Sequence, residues 1–386
     1  MDQAGRALLF AFAMFWEVLW PLALGFLLSA IVQSVVSRRA VAGALGRADA
    51  RGFVFACGLG AASSSCSYAA VAVARSLFRK GASFANAIVF EFASTNLVFE
   101  LGLVLLVLLG WRFLAAELAG GLLMVAILAV LFRWTLRPRM VERARAQAER
   151  GVAGRMEGHG EMDMAVTDGP FLRRLLSARG FTAVSHSFFM DLASIWQDLL
   201  LGFLIAGALA AWVPEAFWQA LFLTGHPELA RVWGPLVGPA IAMLSFVCSV
   251  GNVPLAAVLW NGGISFGGVI SFIFADLIIL PIVDIHRRYY GGRMSLYLLG
   301  VSYVAMAVAG LLVELAFQAL GLVPDHFRVT VLESRPGWNA TTALDLAALA
   351  VVLVLGWRFL TTGGRGMLRM MSRPAVDPGG SRSYGG

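Results

Sequence analysis

Residues 66–93 and 248–275 carry one pattern written twice. Aligned without a gap at a constant offset of 182 residues, 12 of their 28 positions are identical, among them Cys66 with Cys248, Ser67 with Ser249, Gly81 with Gly263 and the Phe90-x-Phe92-Ala93 signature with Phe272-x-Phe274-Ala275. A shorter echo precedes each copy, Gly25-Phe26-Leu27-Leu28 and Gly202-Phe203-Leu204-Ile205, at an offset of 177 residues. Duplication on this scale commits the chain to two halves of like architecture, and in a membrane chain it marks a transporter whose site lies between the halves.

That lipid is the main solvent follows from composition. Hydrophobic residues make up 59% of the 386 and charged ones 14%, against roughly 45–50% and 25% in soluble domains. The net charge of +7 sits on arginines that flank apolar runs, a positive-inside distribution and not a basic face for nucleic acid. Nucleic-acid binding is therefore not expected. The apolar run 7–36 is too long for a signal-peptide core and lacks a small-residue cleavage site, which predicts a retained helix. Three cysteines, Cys57, Cys66 and Cys248, lie in apolar context, which speaks for buried thiols and against a disulfide framework.

The expected fold is an all-α polytopic membrane protein of two inverted-topology repeats, each with an interrupted or re-entrant helical hairpin. Full spans are predicted at 8–36, 83–109, 113–135, 189–212, 266–285, 294–322 and 343–361, each of about 20 residues or more. The segments 52–79 and 237–261 are interrupted by small and polar residues, Ser63-Ser64-Ser65 in one and Ser249, Gly251, Asn252 and Pro254 in the other. If both crossed the bilayer, no placement of the N-terminus would bring every basic cluster to one side. If both return to the side they entered, all clusters become cytoplasmic with the N-terminus outside, and the two repeats are inverted. Nine or ten full crossings remain the rival arrangement. The domain plan is a first membrane repeat with its following helix (1–136), a basic, Gly-rich cytoplasmic linker (137–187), a second repeat with two further helices (188–362) and a disordered cytoplasmic tail (363–386).

Irregular backbone at membrane depth persists only where protein or a water-filled cavity satisfies it, so the hairpin tips are candidate substrate sites, with Ser65, Cys66, Ser67, Cys248, Ser249 and Asn252 as candidate ligands. Asn252 is expected to cap a helix whose first turn holds Pro254. Small residues also permit close helix packing, and cysteine is also an ordinary buried residue, so a packing role stays open. Carboxylates within spans are costly and so mark function: Glu91 and Asp276 are the candidate proton-coupling residues, with an interhelical hydrogen bond as the alternative role. Glu100, Asp191 and Asp284 are placed at interfaces. All five histidines are expected in loops or at span edges, which leaves no His-based metal centre and no buried base for a cysteine nucleophile. No GxxxxGK[ST] occurs, so ATP hydrolysis is not expected. No cofactor or metal is expected, and the partners are the lipid bilayer and a small-molecule substrate, with a homo-oligomer left open.

The run Cys248-Ser249-Val250-Gly251-Asn252-Val253-Pro254-Leu255, followed by Gly262-Gly263-Ile264-Ser265-Phe266 and Phe274-Ala275-Asp276-Leu277, resembles the ArsP-like permease family, which includes organoarsenical efflux permeases. Cys66-Ser67-Tyr68 and Ser94-Thr95-Asn96-Leu97 resemble the same family. The likeness covers approximately 15–135 and 190–322. It implies a non-enzymatic permease of the bacterial inner or plasma membrane that exports a small solute such as a trivalent organoarsenical, with Cys66 and Cys248 as its thiol ligands. A passive channel-like pore is the alternative from another class, and a membrane enzyme with a Cys nucleophile a more distant one.

Overall fold

The structure, a computed structural model, describes residues 3–35, 45, 49–63, 67–149, 175, 177–245, 249–324 and 340–372. Among the described residues 89% are helical and none forms a strand. The first half consists of α1 (Gln3–Val35), α2 (Ala50–Ser63), α3 (Ser67–Arg79), α4 (Phe84–Asn96), α5 (Phe99–Leu108), α6 (Trp111–Thr135) and α7 (Pro138–Glu149). The second runs through α8 (Ala178–Trp212), α9 (Glu215–Leu221), α10 (Pro227–Ser245), α11 (Ser249–Asn261), α12 (Phe266–Ile273), a 3-10 segment (Phe274–Ile278), α13 (Leu280–Tyr290) and α14 (Gly292–Ala319). Two more helices, α15 (Ala340–Thr361) and α16 (Gly364–Ser372), follow. Among the described residues, four helical stretches are long and apolar enough to cross a bilayer, 84–108, 111–135, 292–319 and 342–361, and the bent pair 266–290 makes a fifth.

The sequence duplication is a duplication of elements. Shifted by 182 residues, α3 becomes α11 and α4 becomes α12 with its 3-10 extension, end for end, and the last residue of α2, Ser63, becomes the last residue of α10, Ser245. The same local device builds both copies. Gly81 and Gly263 turn the chain at φ of +105° and +94°, a conformation that favours a residue without Cβ. Two residues later Ser83 and Ser265 each accept a hydrogen bond of 3.2 Å from a backbone N–H three residues on, Asn86 and Gly268, and so start the next helix. Packing follows the duplication too. Helix α2 lies on α4 as α10 lies on α12, and α3 touches α13 as α11 touches α5.

Two pairs of corresponding helices pack on each other head to tail. In α6 and α14 the Thr135 hydroxyl lies 2.7 Å from the Tyr297 hydroxyl at one end, while Gly120 faces Val313 further along. In α1 and α8, Phe26 meets Phe188 and Phe15 meets Phe203 at centroid distances of 6.2 and 5.8 Å, and Gly207 lies against the backbone of Ala7.

Two expected spans prove to be broken. The stretch 83–109 breaks at Leu97-Val98, where Leu97 has φ −107°, ψ 41°. The stretch 266–285 unwinds through the 3-10 segment, bends by 42° and continues past 285 to Tyr290. The cause at the first break is side-chain competition for backbone acceptors: Ser94 donates to the Glu91 carbonyl, and Thr95 and Asn96 donate to that of Phe92. Leu97, Val98 and Ile279 are themselves apolar, so hydropathy passes over both breaks. Arg75, beside the basic pair Arg79-Lys80, is buried. Its guanidinium lies 4.3 Å from the Tyr289 ring centroid and donates to the Ala148 carbonyl at 2.8 Å, while Arg145 donates to the carbonyls of Phe78 and Ala82. Helix α7 is thereby strapped across the ends of α3 and α13.

Candidate functional site

The two helix breaks meet at one junction, where buried polar groups of the two repeats bond to each other. Asp276, in the 3-10 segment of the second repeat, is fully buried. Its Oδ2 accepts from Ser67 Oγ at 2.7 Å and its Oδ1 from Asn96 Nδ2 at 3.4 Å, both residues of the first repeat. Asn96 Nδ2 also reaches Thr95 Oγ1 at 3.1 Å, whereas Asn96 Oδ1 has no hydrogen-bond partner among the described residues. Ser67 is the first residue of α3 and Asn96 the last of α4, so interruptions in both repeats supply the contacts.

Two further buried carboxylates lie on elements packed around the junction, Glu91 on α4, which touches the 3-10 segment, and Glu117 on α6, whose Gly120 and Gly121 face the Phe274 ring one turn further along. Glu91 Oε1 lies 2.8 Å from His286 Nε2, and both side chains are buried. Its Oε2 has no hydrogen-bond partner among the described residues. Glu117, on α6, is 1% exposed and neither of its oxygens is hydrogen-bonded there. The centre thus holds more acceptors than donors.

Ser67 and Asp276 meet, which joins a candidate substrate ligand to a candidate coupling group. Asn252 is bonded elsewhere. Helix α11 begins at Ser249, so Asn252 falls inside its first turn instead of capping it, and its Oδ1 accepts from Ser245 Oγ at 3.3 Å across the break of the second hairpin. Cys66, Cys248 and Ser65 lie outside the described residues, as does the side chain of Ser249. Cys57, a free thiol, is buried on α2. Glu100, expected at an interface, is buried against Gly25 of α1. Asp284 is partly exposed and paired with Arg287 and Arg288.

Sequence reasoning missed Glu117 and His286. Glu117 is a carboxylate inside an otherwise strongly apolar span and meets the criterion that singled out Glu91. His286 was placed at a span edge because Asp284, Arg287 and Arg288 surround it. On α13 those residues point outward while His286, Tyr289 and Tyr290 point inward. His186 is likewise buried on α8, 2.7 Å from the Thr362 hydroxyl.

The profile of the ArsP family, described as a predicted permease, matches residues 3–315, across both repeats and every residue of this junction. The chain belongs to the ArsP permease family. A protein of Mycobacterium tuberculosis (strain ATCC 25618 / H37Rv) named "Putative permease Rv2963" is 58% identical over 338 residues, 87% of this chain and 83% of the relative. No solved structure matches the chain. As an ArsP-family permease with several apolar spans, it is a multi-pass membrane protein.

Proposed function

We propose that this permease is a secondary transporter that exports a small solute across the cell membrane by alternating access, with trivalent organoarsenicals as the leading substrate class. The observation that carries the reading is Asp276, a fully buried carboxylate on a broken helix of one repeat held by Ser67 and Asn96 at the helix breaks of the other. Discontinuous helices meeting at a repeat interface are what transporters use to bind substrate and coupling ion. Head-to-tail packing of α1 on α8 and of α6 on α14 supports inverted repeats, because a twofold axis relating antiparallel spans lies in the membrane plane. The arginine distribution favours a cytoplasmic α7 and hairpins that return to their own side.

In this reading Ser65, Cys66, Ser67, Cys248, Ser249 and Asn252 contact substrate, and Glu91 and Asp276 couple transport to protons. The arsenical assignment rests on family resemblance and on the thiols. Full burial of the junction suits an occluded conformation better than a permanently open pore. The test is uptake of methylarsenite into inside-out vesicles under an imposed pH gradient. Accumulation above equilibrium that is lost in Asp276→Asn is the expected result. Movement that only ever equilibrates, unaffected by the gradient, would establish a passive pore instead.

A further inference from the structure

We propose that Glu117 and Asp276, with the side-chain oxygen of Asn96, form the binding site for the coupling cation, a hard monovalent ion, H⁺ or Na⁺. The proposal rests on the secondary-transport reading above and identifies the group that reading left out. Glu117 is 1% exposed and neither oxygen is hydrogen-bonded among the described residues. One turn further along α6, Gly120 and Gly121 face the ring of Phe274, two residues before Asp276, and Gly121 faces Leu97, the residue after Asn96. Asn96 is bound to Asp276 through its amide nitrogen, and its buried oxygen is left without a donor among the described residues. Three buried acceptor oxygens on the elements that meet at Asp276 therefore await a positive partner, since buried polar groups left unmatched are strongly disfavoured.

Fixed protein cations do not fill that role. His286 is the one basic side chain bonded to Glu91, Glu117 or Asp276 among the described residues, and it is taken by Glu91. The surrounding elements offer Glu91 from α4, Glu100 from α5 and Glu314 from α14, and Glu314 is engaged by the Gly267 N–H. On α6 itself Arg112 lies over the Trp111 ring, and Arg133 is 16 residues, about 24 Å, along the axis from Glu117. The last turn of α4 brings the negative end of a helix dipole to the same place. A transition metal would call for three or four His, Cys, Asp or Glu ligands, and no such group of three comes together among the described residues. Two carboxylates and an amide oxygen match a proton or a sodium ion.

The site also links the halves. Glu117 and Asn96 belong to the first repeat and Asp276 to the second, so an ion held there favours the closed junction, and its loss lets the like charges of Glu117 and Asp276 separate the repeats.

The test uses purified, full-length protein in detergent and does not depend on knowing the solute. Saturable ²²Na⁺ binding at alkaline pH, and proton uptake in unbuffered solution between mildly alkaline and mildly acidic pH, are measured for the wild type, Glu117→Gln, Glu117→Asp and Asp276→Asn. Glu314→Gln serves as a buried carboxyl control outside the site. A sodium site gives about one ion per chain, lost at least about tenfold in Glu117→Gln and Asp276→Asn and weakened but present in Glu117→Asp. A proton site gives no sodium binding and about one proton fewer in Glu117→Gln than in Glu314→Gln. Sodium binding and proton uptake in folded Glu117→Gln that both equal the wild type would overturn the proposal. A wild type that binds the cation through Glu117 yet never moves solute uphill under either gradient would sink the transport reading and leave the site standing.

Discussion

The hydrogen bond from Ser67 to Asp276 spans 209 residues of sequence and joins the two repeats at full burial, so its coupling energy measures whether the junction is real. In membrane proteins interhelical hydrogen bonds are worth about 0.6 kcal/mol on average and about 1.7 at most, because the unfolded but inserted chain finds other partners. Ser67 has poor alternatives: as the first residue of α3 it has no carbonyl four residues back within its own helix. The coupling should therefore fall near the upper end, about 1–1.7 kcal/mol. Ser67→Ala alone strips Asp276 Oδ2 of its donor and should cost about 1–3 kcal/mol. Reversible unfolding in mixed micelles of Ser67→Ala, Asp276→Leu and the double variant closes the cycle, since leucine keeps the branched skeleton of aspartate and cannot accept. Additivity within about 0.3 kcal/mol would mean that the two side chains do not interact and that Ser67 is not at the junction.

Three other outcomes are expected. His286→Ala leaves Glu91 buried beside an empty position and should lower stability by about 3–5 kcal/mol, with most of the loss recovered in His286→Ala/Glu91→Leu, as read by thermal melting in detergent. Gly267→Ala would set a Cβ 2.2 Å from the Gly310 carbonyl oxygen and 2.8 Å from Glu314 Cβ; because backbone cannot swing aside, it should cost about 1–3 kcal/mol or more, whereas Gly58→Ala on α2, with open space around it, should be neutral or slightly stabilising. Arg75→Met should accelerate amide exchange in 138–149 by freeing the Ala148 carbonyl, while exchange in 111–135 stays unchanged.

The scaffold was legible because it is written in period and punctuation. Gly81 with Ser83 and Gly263 with Ser265 mark where α3 gives way to α4 and α11 to α12, since a turn glycine and a capping serine act locally whatever surrounds them. The breaks were not legible. At Leu97-Val98 and Ile279 the chain leaves helical geometry among apolar residues, driven by Ser94, Thr95 and Asn96 taking carbonyls of their own helix and by Asp276 being drawn to the other repeat, the last an interaction that exists only once the halves have docked. His286 was hidden for a related reason. Arg287, Arg288 and Asp284 make its surroundings read as a loop, and only the helical phase of α13 separates the outward charges from the inward ring.

The duplication preserves more than it abandons at the helix ends. At the shift of 182 residues the preserved positions include the serine caps, the turn glycines, the aromatic signature and the paired tip residues Cys66/Cys248 and Ser67/Ser249, whereas the charged residues of the junction are not repeated. The Glu91–His286 contact corresponds to Ile273 and Val104, both buried, and Asn96 corresponds to Ile278, so positions that are polar in one copy are apolar in the other. Ser94, which corresponds to Asp276, closes a bond on its own helix instead of reaching across. A symmetric pair of polar sites would place several carboxylates in the bilayer core without enough donors to satisfy them, at a cost of a few kcal/mol each. In the transport cycle proposed above, keeping the duplicated scaffold while concentrating the charge on one side would retain two related packing arrangements around one polar cluster.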